Sequence, residues 1–241
     1  MKVSVIGCST AWTDRPTSSY CVNNTTLIDC GEGTLKFYKK ANVNFLHIKN
    51  IFITHLHSDH TFALMEYIDQ YIFYSAVKDR KSVTIYGPKG LREFLDNLKL
   101  ASCEYKEIDY NLDDYFNIIE IEDFSKQIKV DNLIVYPYLF KHGKMDNISY
   151  VFDDGKVKVG FSGDITMQEG LNKFIENTNT VFLECCSTNT SENHLGYNDY
   201  IIFQNKYTHI RFLAIHCVDK IYNNEKELNI ECAKHGTIYE F

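Results

Sequence analysis

The chain reads as a layered α/β protein, and three observations predict this. Apolar runs of strand length alternate with helix-like stretches, the ordering expected of an α/β domain. The content of 44% apolar residues in 241 is ample for the core of one such domain. Five of the apolar runs end in a side chain able to bind metal or carry a proton, and ligands gather at strand ends in layered α/β proteins. With only three prolines, scattered glycine and no low-complexity tract, no linker stands out, so one domain is expected over 1–241.

The expected strands are 2–6, 25–28, 51–54, 82–86, 132–139, 148–152, 156–161, 180–183 and 211–215. Helix-like stretches fall at 33–40, 61–77, 89–99, 166–177, 197–206 and 224–234, the last two weakly patterned. The close spacing of 148–152 and 156–161 around Asp153-Asp154-Gly155 predicts an antiparallel hairpin beside the α/β crossovers.

Charge and composition narrow the function. Lys+Arg 25 against Asp+Glu 32 leaves a net charge of −7, a surface that repels polyanions and advertises no broad nucleic-acid-binding face. The N-terminal apolar run, Val3 to Ile6, is too short for a secretory signal. No segment approaches the length of a membrane span, so a membrane partner is not expected. The eight cysteines contain no Cys-x-x-Cys pair and fit reduced thiols of a cytoplasmic protein. All eight are expected to act as small buried hydrophobes, although Cys217 adjoins a candidate ligand and Cys185-Cys186 follows a candidate acid.

The densest chemistry is His55-Leu56-His57-Ser58-Asp59-His60, behind the apolar Ile51-Phe52-Ile53-Thr54. Residues two apart on an extended chain point the same way, so His55 and His57 can grip one ion. The turn into the following helix can carry Asp59 and His60 to a second. Imidazole and carboxylate at this density suit zinc, with manganese or iron as alternatives. Other strands end likewise: Leu27-Ile28 in Asp29, 157–163 in Asp164, Val181-Phe182-Leu183 in Glu184, and 212–215 in His216. His142 follows the run 132–140, and Ser162-Gly163-Asp164 is a tight turn where glycine permits close approach to an ion. His47, His209 and His235 lack such placement and read as ordinary residues.

These residues resemble the metallo-β-lactamase superfamily and, within it, the ribonuclease Z-like phosphodiesterases. The resemblance runs nearly end to end. Ile6-Gly7 through Arg15 and Ser18-Ser19 looks like that group's N-terminal hairpin. Asp29-Cys30-Gly31-Glu32-Gly33-Thr34 is close to a ribonuclease Z segment, and Phe52 to His60 carries the metal motif. Gly87-Pro88-Lys89-Gly90, Ser162-Gly163-Asp164 and Ile215-His216 resemble later motifs in the same order.

The resemblance implies an αβ/βα four-layer sandwich with two divalent metal ions. His55, His57 and His142 would hold the first ion, Asp59, His60 and His216 the second, and Asp164 would bridge them. Asp29 would orient the His-rich loop from outside the metal shell. Asp59, His194 and Glu184 are the candidate catalytic residues, the last two assisting the leaving group. Two such ions activate water and stabilise in-line displacement at phosphorus.

The sequence departs from ribonuclease Z in one respect that bears on substrate. That enzyme carries a long tRNA-holding arm between the third His ligand and the bridging Asp, whereas here only residues 143–163 separate His142 from Asp164. Its histidine-glutamate-alanine-threonine segment also appears as Leu183-Glu184-Cys185-Cys186. The expected substrate is therefore a small phosphodiester, with tRNA disfavoured and a homodimer compatible with the sequence. Residues 104–123, with eight carboxylates against Lys106, point the same way, although Lys78-Asp79-Arg80-Lys81 could grip RNA. The rival readings are a ribonuclease Z-type tRNA endonuclease, a thioester or lactone hydrolase of the same fold, and a non-enzymatic metal-binding module.

Overall fold

Alternation along the strands explains why the chain forms four layers. The computed structural model describes residues 1–75, 83–101 and 110–241. The first half contains β1 (Lys2–Gly7), β2 (Ser19–Val22), β3 (Thr26–Ile28), α1 (Thr34–Phe37), β4 (Asn50–Phe52), α2 (Ser58–Thr61) and α3 (Ala63–Ser75). It continues with β5 (Val83–Gly87), α4 (Leu91–Ala101) and β6 (Phe116–Glu120). The second half contains β7 (Ile128–Val130), β8 (Leu133–His142), β9 (Met145–Asp153), β10 (Lys158–Phe161), α5 (Leu171–Glu176) and β11 (Thr180–Glu184). It closes with α6 (Tyr197–Lys206), β12 (Arg211–Ile215), α7 (Asp219–Asn223) and β13 (Ile238–Glu240).

Two mixed sheets result. One is ordered β13-β1-β2-β3-β4-β5-β6 and the other β12-β11-β10-β9-β8-β7. Strands β3 to β6 run parallel, as do β10 to β12, and the remaining pairs are antiparallel. Successive side chains point to opposite faces. Ile28, Phe52, Tyr150, Phe152, Phe182 and Leu213 accordingly meet between the sheets. Their neighbours Leu27, Ile51 and Ile53 pack outward with Leu64 and Tyr67 of α3. Val151, Val181, Leu183 and Phe212 pack outward with Phe174 and Tyr200 of α5 and α6. Each such buried side chain stabilises the fold by roughly 1.5–3 kcal/mol. This is the predicted α/β four-layer sandwich.

The predicted hairpin forms between β9 and β10, where the Asp153 and Asp154 carboxylates accept hydrogen bonds from the Gly155, Lys156 and Val157 amides. Strands β2, β6, β7 and β13 were not expected, and β2, β7 and β13 are only three or four residues long.

The expected helix at 224–234 does not exist. Asn229 sits at φ 52, in the left-handed region, and Cys232 bridges in parallel to Ala214 of β12, so the segment ends extended beside the sheet. The single turn α7 precedes it.

Of the acidic stretch, Glu104, Glu107, Asp109 and Lys106 lie outside the described residues, as do residues 78–81 and Cys103. Within the described part, Glu120 accepts the Gly90 and Arg92 amides at 3.0 Å, satisfying the start of α4. Asp113 pairs with Arg92. No helix among the described residues is long and apolar enough to cross a membrane.

Candidate metal centre

The strand ends of both sheets deliver their polar residues to one place. Asp29 follows β3 in the left-handed region at φ 54, and His216 follows β12 at φ 56. His57 precedes the first turn of α2, which carries Asp59 and His60. His142 is the last residue of β8 and Glu184 the last of β11. Between β10 and Asp164, Gly163 takes φ 61, and a Cβ there would lie 2.3 Å from Asn147 Oδ1 and 2.8 Å from Thr54 Cβ. Only glycine lets that turn lie so close against the end of β4. Gly31 is equally constrained, since a Cβ would stand 2.0 Å from the Asp59 carbonyl oxygen.

Two abutting clusters result. His55 Nε2 and His142 Nε2 each stand 3.1 Å from His57 Nδ1, so three imidazole nitrogens face one another. In the second cluster His216 Nε2 is 3.1 Å from Asp59 Oδ2 and 3.3 Å from Asp164 Oδ2. Asp164 joins the two. Its Oδ1 is 3.2 Å from His60 Nε2, and its Oδ2 is 3.9 Å from both His55 Nε2 and His142 Nε2. All seven residues expected as ligands are thus brought together.

Polar atoms left without partners show that these groups fit a metal. His60 Nε2 and Asp164 Oδ1 are buried and, although near each other, are not aligned to hydrogen-bond. Buried polar atoms are rarely left so, and a divalent ion would satisfy both.

Other atoms of the rings are spoken for. Asp29 Oδ2 accepts from His60 Nδ1 at 2.7 Å, while the Thr54 amide and hydroxyl donate to the same carboxylate at 2.8 and 2.9 Å. The Asn193 carbonyl accepts from His142 Nδ1 at 2.6 Å. In each case the second nitrogen, Nε2, is left pointing into the cluster. Asp29 contacts His60 and Thr54 rather than the whole His-rich loop.

Electrostatics divide the clusters. Burial drives the pKa of His55 well below its ordinary value, and burial together with His142 lowers that of His57, so both rings are neutral. Burial alone would also strip His60 of its proton, but Asp164 and Asp29 overcome it and carry the pKa up to about 10. His216 is likewise held well above its ordinary value, chiefly by Asp164 against the pull of burial. Burial would raise Asp164, but His216 and His60 push it well below the usual carboxylate range.

Glu184 and His194 adjoin the centre. Glu184 is fully buried. Its Oε2 accepts the Ile165 and Leu195 amides at 2.7 and 3.2 Å, and its Oε1 accepts from His194 Nδ1 at 2.6 Å. Burial opposes protonation of His194, but the bond to Glu184 raises its pKa. His194 Nδ1 is 3.7 Å from Asp164 Oδ2.

Residues 1–239 match the model of the family described as anti-Pycsar protein Apyc1. The chain belongs to that family. Among curated proteins, this Apyc1-family chain is similar to ribonuclease Z of Picrophilus torridus, 36% identical over 124 residues that make up 51% of this chain and 36% of that protein. Ribonuclease Z of Streptococcus uberis is 30% identical over 121 residues, 50% of this chain and 38% of that one. The matches therefore span little more than a third of those relatives' length. Over its full length the chain shares the fold of the metallo-β-lactamase fold protein YhfI from Bacillus subtilis, at a TM-score of 0.81 and 19% identity, covering 99% of that structure. The short form of human tRNase Z superposes at a TM-score of 0.75 and 18% identity, covering 100% of this chain and 99% of that one.

Sequence reasoning missed Thr54 and Asn193. Thr54 had a visible signal, a hydroxyl at the end of an apolar run. Asn193 contributes only its backbone carbonyl, which no side-chain pattern reveals. Cys186 departs from the expected burial: six other described cysteines are buried, whereas Cys186 is partly exposed.

Proposed function

We propose that this chain is a metal-dependent hydrolase that cleaves small phosphodiesters at a two-ion centre, with zinc as the first choice of metal and manganese or iron as alternatives. The observation that carries the reading is the pair of clusters sharing Asp164, with His60 Nε2 and Asp164 Oδ1 buried between them and not aligned to hydrogen-bond. His55, His57 and His142 would hold one ion, Asp59, His60 and His216 the other, and Asp164 both. Ions there would supply Lewis acidity to a phosphoryl oxygen and acidify water.

The chain's own residues then position and protonate. Asp29 and the Asn193 carbonyl set the tautomers of His60 and His142, leaving each Nε2 free of its proton for an ion. Asp59 is the most accessible carboxylate of the centre, where an incoming substrate meets it. Glu184 holds His194 by Nδ1, so that His194 can carry a proton on Nε2 at neutral pH and give it to the leaving oxygen.

Beside His57 and His142 opens a cavity of about 630 Å³, lined also by Gly143, Lys144, Met145, Glu192 and Asn193. That volume suits a small ligand. The hairpin β8–β9 turns at its edge, where ribonuclease Z would extend its arm. The relatives named ribonuclease Z favour a second reading, tRNA 3′ processing, but the short hairpin argues against it.

The test combines metal analysis with a comparison of kcat/KM on precursor tRNA and on bis(p-nitrophenyl) phosphate or a cyclic nucleotide, at low and moderate salt. Near two ions per chain and preference for the small diester are expected. Efficient, accurate cleavage of the tRNA 3′ end would restore the ribonuclease Z reading, and metal without turnover of any diester would leave a binding module.

A further inference from the structure

A second donor set lies behind His216, with three of its four members outside the seven candidate ligands. Glu184, Cys186, His194 and His216 each offer one ligand atom, and the four atoms lie within 4.8 Å of one another. The backbone holds them there. Cys186 donates its amide to the Leu195 carbonyl at 2.9 Å and accepts the Val218 amide at 3.0 Å, tying together the three segments that carry the four residues.

Two features of this group suit a cation. The two amides on Glu184 Oε2 leave Oε1 to face both imidazoles, 2.6 Å from His194 Nδ1 and 3.3 Å from His216 Nδ1. His216 faces the second cluster through Nε2, so its buried Nδ1 carries the ring's proton and meets Oε1 as a donor rather than a ligand. Cys186 is also the one described cysteine that is not buried.

We propose that Glu184, Cys186 and His194 form an additional site for a thiolate-seeking divalent ion such as zinc, cobalt or cadmium, and that filling it inhibits the enzyme. Thiolate, imidazole and carboxylate together form a zinc-type donor set, which hard ions such as magnesium or manganese do not favour. Ligand atoms about 2.0–2.3 Å from a tetrahedral ion sit roughly 3.3–3.8 Å apart, so the Glu184 to His194 contact need open by less than about 1 Å. The balance is simple. The ion displaces the thiol proton of Cys186 and the proton between His194 Nδ1 and Glu184 Oε1, both of which pass to solvent, and no oxidation is involved. Thiolate and carboxylate cancel the ion's two charges, so the site can fill beside the main centre without adding net charge.

Inhibition follows because His194 would give up the bond through which Glu184 holds its proton. That consequence rests on the proposed hydrolase reading, whereas binding of the ion does not.

The experiment titrates protein already replete with its own metal with cobalt. The seven-residue centre contains no sulfur, so a thiolate-to-cobalt charge-transfer band in the near ultraviolet reports Cys186. The wild type should develop the band and take up one further ion per chain, and Cys186→Ser and Cys186→Ala should do neither. Excess zinc should slow the wild type at least about tenfold and leave both variants within about twofold of their uninhibited rate, which itself should match the wild type. Absence of the band in the wild type, or a band that persists in both variants, overturns the proposal. Should neither protein hydrolyse any diester, the hydrolase reading fails, while band and stoichiometry still decide the metal site.

Discussion

His194 Nδ1 lies 2.6 Å from Glu184 Oε1, and the other oxygen of that carboxylate is clamped by two backbone amides. The imidazole is therefore held by a group that cannot swing away. His194→Ala should keep its metal yet lose about 10²–10⁴-fold in rate on a diester with a poor alkoxide leaving group. Loss on an activated nitrophenolate, which departs unprotonated, should be much smaller. Glu184→Gln removes the charge that raises the His194 pKa, so the alkaline limb of the pH–rate profile should move to lower pH. Equal losses on both substrates, or metal loss in His194→Ala, would contradict the role.

Asp164 is the residue common to both clusters, so its removal should be felt by both ions. Asp164→Ala should lower metal occupancy and abolish turnover, as measured by elemental analysis beside a diesterase assay. Cys217→Ala, next to His216 but buried among core residues, should leave activity largely intact. Full activity in Asp164→Ala would overturn the ligand assignment.

The proton balance of the centre can be read directly. In metal-stripped protein the pKa of His60 stands at about 10, above the ordinary 6.5. Its stabilising contribution is therefore complete below 6.5 and is lost as pH rises through 10. Asp164 acts on the opposite flank: its depressed pKa stabilises above the ordinary 3.8 and is lost on acidification below it. The urea midpoint of stripped protein should fall on the alkaline side, and metal-loaded protein should fall less, because the ion replaces the proton. Loading should release protons from His60 and His216, seen as a dependence of the binding heat on the buffer's ionisation enthalpy. Affinity that does not weaken as pH falls would count against this.

Lys144 makes no hydrogen bond or ion pair among the described residues, and it lines the cavity that has His57 and His142 on its wall. It is placed to attract an anionic substrate, in a cavity that the equally unpaired Glu192 also lines. Lys144→Ala should raise KM roughly 3- to 10-fold with kcat little changed, the pattern of lost uniform binding. Added salt should narrow the difference between the two proteins, since exposed charges are screened. An effect confined to kcat would place Lys144 elsewhere in the mechanism.

Much of the centre was legible in the chain because metal ligands concentrate where strands stop. His55, His57, Asp59 and His60 fall within six residues, and Asp29, Asp164, Glu184 and His216 each follow a recognisable apolar run. The alternation that makes Ile28, Phe52 and Phe182 inner residues and Leu27, Ile51 and Val181 outer ones is likewise a property of the sequence. The helix expected at 224–234 failed because pairing of Cys232 with Ala214 outweighed a weak helical pattern.

The donor types, their order and the alternation that forces two sheets face to face depend on residue identity and local spacing, and so are present in the chain before it folds. Folding alone sets which nitrogen of His60 and His142 is free, that Asp164 touches both clusters, and that Cys186 stands with Glu184 and His194. Those facts are distances between segments far apart in the chain, set by the register of β10, β11 and β12 and by left-handed turns at Asp29, Gly163 and His216. A hydrogen bond to a backbone carbonyl such as that of Asn193 leaves no mark on residue identity, so only folding could reveal it.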